Sequence, residues 1–145
     1  MLKDHPDHHD AELVLKLYEL RREPTMRAAR DALYTDFVPR SYDDVKAVTM
    51  NRAHPLNAAL RQCASYWEMV YGMARHGIVH ADFLVENNGE GLILFAKVHP
   101  WLKELRADSG PNSYRNAEWV ATNCEEGKAR FGRMKAMVDK QRAAK

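Results

Sequence analysis

From Pro55 to Ala74 the apolar residues Leu56, Leu60, Cys63, Trp67, Val70 and Ala74 recur at i, i+4, i+7, i+11, i+14 and i+18. This spacing gathers all of them on one stripe of an α-helix, whereas a strand would scatter them over both faces. A helix this long crosses a small domain from side to side, so the rest of the chain must pack around it. Pro55 opens the pattern, and Gly77 is placed to end it.

The flanking segments carry the same period. From Asp10 to Arg22, Leu13, Leu17 and Leu20 form a stripe widened by Val14 and Tyr18, and Pro24 closes it. A second helix is predicted from about Thr25 to Leu33, with Thr25 as cap and Met26, Ala29 and Leu33 inward. Ser41, followed by Asp43 and Asp44, marks a third start whose buried side is Val45 and Val48. A short helix from about His80 to Glu86 should stop at Asn87-Asn88-Gly89. The run Leu92 to Ala96 suits a strand or a buried helix. Because Leu94, Val98, Trp101 and Leu105 carry helical spacing into strong helix formers, helix is preferred, kinked or restarted at Pro100. Beyond the loop Ser109-Gly110-Pro111-Asn112, a helix from about Ser113 to Cys124 turns Tyr114, Ala117, Val120 and Ala121 inward and leaves Trp119 partly exposed. Gly127 should interrupt or bend the last helical stretch.

The expected fold is therefore all-α, a compact bundle-like packing of about six to eight helices around the long central one. With 145 residues and no internal linker, one domain spanning 1–145 is expected, with residues 1–9 a flexible tip and 125–145 a basic C-terminal helix. The formal net charge of +2 balances 22 basic against 20 acidic residues, so no general field draws the protein to nucleic acid. No apolar stretch approaches the length of a membrane span, so no membrane insertion and a cytoplasmic setting are expected. Cys63 and Cys124 form neither a CxxC pair nor a zinc spacing, and no cofactor is implied.

Three constellations are candidates for chemistry. In Asp4-His5-Pro6-Asp7-His8-His9-Asp10-Ala11-Glu12, a helix would place His5 and His9 at i, i+4 with Glu12 one turn on, a geometry for a divalent metal. The plainer reading is a His-rich terminus with no physiological metal. At the end of the central helix Glu68, His76, His80 and Asp82 would converge if the chain reverses at Gly77, offering an acid/base pair beside Tyr66, Trp67 and Tyr71. Against this, Glu68 lies off the apolar stripe, where solvated ion pairing is the simpler role. Lys128, Arg130, Arg133, Lys135, Lys140, Arg142 and Lys145 make the last helix basic, and Phe131 or Trp119 nearby would serve for base stacking, but no nucleic-acid-binding motif accompanies them.

Phosphate loops, nucleophile elbows and HExxH are all lacking. The leading expectation is a helical protein-interaction module without catalytic activity, a homo-oligomer or partner of another protein through Trp119, Met134 and Met137. The alternatives are a small-molecule or metal-binding protein, or an enzyme, with a pocket near Trp67, Tyr71, His76 and His80, and a weak nucleic-acid binder through the C-terminal helix.

The stretches LYELRREPTMRAARDALY, RQCASYWEMVYGMARHGIVHADFLVE and HPWLKELRADSGPNSYRNAEWVATN together resemble an uncharacterised bacterial all-helical family, a domain of unknown function. The resemblance spans roughly Leu13 to Cys124 and implies a compact α-helical fold with no assigned reaction or functional residue. Some relatives of this kind carry an N-terminal membrane anchor, for which the opening residues here offer no apolar stretch.

Overall fold

The computed structural model describes residues 2–144, and among these the regular structure is entirely helical. Met1 of the expected tip and Lys145 of the expected basic helix lie outside the described residues. Helix α1 spans His8–Arg21, α2 Pro24–Asp36, α3 Tyr42–Thr49, and α4, the central helix, Asn57–Arg75. They are followed by α5 (Ala81–Asn87), α6 (Gly91–Val98), α7 (Leu102–Ser109), α8 (Arg115–Asn123) and α9 (Glu125–Ala143). The bundle is thus all-α, as expected, and no helix among the described residues is long and apolar enough to cross a membrane.

The predicted stripe of α4 is the axis of the core: Leu60, Cys63, Trp67, Val70 and Ala74 are all buried. Helices α2 and α8 pack along α4, while α9 closes over α6 and α8. Met26, Ala29 and Leu33 of α2 and Val45 and Val48 of α3 are buried as their spacing requires. The run from Leu92 is helical, and Pro100 breaks it through a 3-10 turn over His99–Trp101 before α7 begins.

Four details differ from expectation. The cap of α2 is Glu23, whose carboxylate accepts from the amides of Thr25 and Met26, with Pro24 at the first helical position, where its missing N–H costs nothing. In α1, Val14 and Leu17 are buried but Tyr18 and Leu20 are exposed, because the helix lies at the rim against α2 and α5. The break before α9 falls at Cys124, in extended backbone, and Gly127 sits inside the first turn of α9. There it lets α9 approach the Val120 carbonyl too closely for any side chain. Of residues 1–9, expected as a tip, His8 and His9 already belong to α1, and Lys3 Nζ lies 2.8 Å from Oδ1 of the buried Asp10 in that helix.

Both cysteines are free and buried, and burial pushes each thiol up to about 11 from an ordinary value of 9.0. The Tyr71 and Tyr114 phenols are raised for the same reason. These acids hold their protons more tightly when folded, so the folded chain binds more protons than the unfolded one above pH 9, and stability falls as pH rises. Lys97 opposes this, because burial beside Arg142 lowers it from 10.5 to about 8 and its linkage favours folding as pH rises between those values. One buried amine is outweighed by two thiols and two phenols. Urea midpoints are therefore expected to change little from pH 7 to pH 9 and then drop steeply, and a midpoint held to pH 11 would contradict the burial of these groups.

Candidate functional site

Helices α2, α4 and α6 meet along one cleft because each offers it residues at helical spacing. Arg30, Leu33 and Tyr34 come from α2, Cys63 and Trp67 from α4, and Ile93, Leu94 and Lys97 from α6, with Glu90 just before α6. The cleft holds about 170 Å³. Its walls are mainly apolar, with Arg30, Asp31, Glu90 and Lys97 as the charged residues among its lining.

Gly91 fixes how closely the start of α6 approaches Trp67. A Cβ there would lie 2.7 Å from Cε3 of Trp67, so only glycine lets α6 begin against the indole. Trp67 in turn stacks on Tyr71, with ring centroids 5.6 Å apart, and the buried Tyr71 hydroxyl donates to the Asn88 carbonyl at 2.8 Å. The turn leading into α6 is thereby fixed to the central helix.

Lys97 is 1% exposed, and no carboxylate lies within ion-pairing distance of it among the described residues. Its ammonium donates to the carbonyls of Leu33 at 2.9 Å, Tyr34 at 3.0 Å and Phe37 at 2.6 Å. These belong to the last turn of α2 and the residue after it, where Leu33 also accepts from the Phe37 amide but Tyr34 and Phe37 have no backbone donor among the described residues. Every ammonium hydrogen is thus used to tie α6 to α2. Arg142 of α9 extends the seam, donating to the Pro39 carbonyl at 2.9 Å and the Lys97 carbonyl at 2.7 Å.

The other edge is an ion pair. Arg30 meets Glu90 through two bonds, Nε to Oε2 at 2.6 Å and Nη2 to Oε1 at 2.7 Å, and its third nitrogen donates to the Arg21 carbonyl at 3.0 Å. The bidentate contact raises the guanidinium further above its usual range.

The residues predicted from sequence are distributed elsewhere. Glu68 points from α4 at the start of α8, accepting from the amides of Asn116 at 3.0 Å and Ala117 at 2.8 Å. Burial raises this carboxyl, against the pull of those two amides. Asp82 accepts from the Glu126 amide at 3.0 Å and so caps α9, and His80 caps α5 by accepting from the Phe83 amide at its Nδ1. His76 closes α4 beside Arg75. His80 and Asp82 do share a shallow concavity with Cys124 and Asn123, but Glu68 and His76 do not line it. Gly77 follows α4 in left-handed backbone (φ 73°), and each carboxylate is spent on a helix start.

The helical premise of the His5, His9 and Glu12 arrangement fails, because α1 begins at His8 with Asp7 as its cap. Pro6 and Asp7 hold His5 outside the helix, and no group of three metal-ligating side chains occurs among the described residues. In α9 the basic residues diverge, Arg142 folding over Trp101 and Lys128 pairing with Glu125, while Phe131 packs against Phe95 and His99.

A family model for a domain of unknown function matches residues 6–124. The chain belongs to that family, DUF4760. No curated protein and no solved structure matches it. All residues lining the cleft lie within the DUF4760 match, whereas α9, which supplies Arg142, lies beyond it.

Proposed function

We infer that this chain binds a small molecule, and that the cleft between α2, α4 and α6 is the site. The observation that carries this reading is the state of the polar groups around an apolar hollow. Lys97 is held by three carbonyls, Arg30 and Glu90 neutralise each other, and burial keeps the Cys63 thiol protonated. Asp31, which also lines the cleft, forms no ion pair or hydrogen bond among the described residues, and the walls are suited to an apolar guest.

A volume of about 170 Å³ matches one ring or a short hydrocarbon chain, since an apolar cavity of roughly 150 Å³ admits benzene. Self-association through Trp119, Met134 and Met137 draws less support. Trp119 and Met134 pack against the core, and Met137, 37% exposed, accepts a hydrogen bond from the Tyr34 hydroxyl.

Toluene is the direct probe. At ten times its dissociation constant it is expected to stabilise the fold by about 1.4 kcal/mol, with NMR shifts centred on Cys63, Trp67 and Leu94. Ile93, only partly buried at the rim, provides the control, because Ile93→Trp fills the cleft and should abolish both effects. Shifts scattered over the surface, or stabilisation that survives Ile93→Trp, would place binding elsewhere.

A further inference from the structure

The cleft continues into a second, open concavity, and the two share Arg30 and Asp31. This outer space is lined by Tyr18, Arg21 and Arg22 at the end of α1 and by Arg27 on α2. Arg21 also joins the two spaces physically. Its guanidinium lies 5.7 Å from the Tyr18 ring centroid and 5.9 Å from that of Trp67, the same indole that walls the cleft.

Arginines at the end of α1 suit its helix dipole, which accounts for Arg21 and Arg22 as ordinary surface residues. It does not account for their meeting Arg27 and Arg30 across a helix junction. Nor does it account for Arg21 Nε, which is buried without a hydrogen-bond partner among the described residues. Arg30 is neutralised by Glu90, but among the described residues no carboxylate lies within ion-pairing distance of Arg21, Arg22 or Arg27. Asp31 is the one acid lining the space, so three guanidiniums without an ion-pair partner among the described residues, of which Arg21 donates through Nη2 to the Asn87 carbonyl at 3.4 Å, face one carboxylate at the mouth of an apolar cleft.

We propose that the outer concavity holds the anionic end of the ligand whose apolar end fills the cleft, and that the ligand is a small aryl or short-chain alkyl phosphate. This rests on the cleft reading above and names the chemistry of what enters it. Phosphate is favoured over carboxylate by charge and geometry. A phosphate monoester carries up to two charges on three oxygens, enough to engage several guanidiniums at once, whereas one carboxylate satisfies a single fork.

Four probes on the full chain separate the parts: phenyl phosphate, toluene, benzoate and inorganic phosphate, titrated calorimetrically at low and moderate salt. Phenyl phosphate is expected to bind at least tenfold tighter than each of the others, with the advantage shrinking as salt rises. The double variant R22Q/R27Q removes two exposed side chains that form no ion pair, so the fold is not at stake. It should erase the tenfold advantage and leave toluene binding unchanged. If toluene binds in the cleft but phenyl phosphate binds no tighter, if benzoate equals it, or if R22Q/R27Q keeps the advantage, the phosphate inference is overturned while the cleft reading stands. Absence of toluene binding overturns both.

Discussion

Lys97→Met is expected to destabilise the protein by about 2 kcal/mol, within the roughly 1–3 kcal/mol for a buried carbonyl left without a donor, because the Phe37 carbonyl loses its partner while those of Leu33 and Tyr34 keep the Phe37 amide and the Gln141 side chain. Methionine preserves the apolar stem of the side chain, so the loss reports on the ammonium and not on a cavity. Two of the three acceptor contacts are buried, which is why water cannot simply replace the lysine. A lowered urea midpoint with unchanged slope is the expected readout. A neutral or stabilised variant would show that desolvating the charge costs more than the three bonds return, which is the usual outcome when a whole buried polar cluster is replaced by apolar groups.

The second large effect contrasts two glycines of one helix. At Gly127 a Cβ would collide with the Val120 carbonyl oxygen and lie 2.8 Å from Cys124 Sγ, so α8 and α9 would have to separate. Because the obstacle is backbone, Gly127→Ala is expected to cost about 3 kcal/mol, the upper end for overpacking. At Gly132 nothing lies within 4 Å of the same atom. Gly132→Ala should therefore stabilise by roughly 0.5–1 kcal/mol through helix propensity alone. Thermal melts of the two variants should move in opposite directions, and parallel shifts would mean that the tight contact between α8 and α9 is not present in solution.

These glycines also show what the amino-acid pattern can and cannot disclose. Periodicity locates α4 and its buried stripe, because every stripe residue faces the core and the signal repeats over five turns. It misplaces Tyr18 and Leu20, since a helix at the rim buries a narrower face than its apolar residues would allow. Gly127 is legible as a special position but not as a close approach, which depends on where α8 lies.

The cleft is hidden for a related reason. Cys63 and Trp67 read as core, but their cavity exists only once α2 and α6 are in place. Lys97 reads as one more helix former, although a single lysine within the apolar run of α6 is the available signal. Glu68 and Asp82 stand out for their chemistry, yet their partners are 48 and 44 positions away and are backbone amides, which no side-chain motif records. The arginines at the α1–α2 junction carry no spacing rule at all, because two helices contribute them.

The seam between α9 and the end of α2 has a temporal side. Gln141 bonds the Tyr34 carbonyl across 107 positions, and Arg142 bonds the Pro39 carbonyl across 103. On a ribosome adding roughly 5–20 residues per second, α2 emerges about 5–20 s before the helix that clasps it. For that interval the end of α2 is held by its packing on α1, α4 and, once made, α6, and only the arrival of α9 completes the clasp.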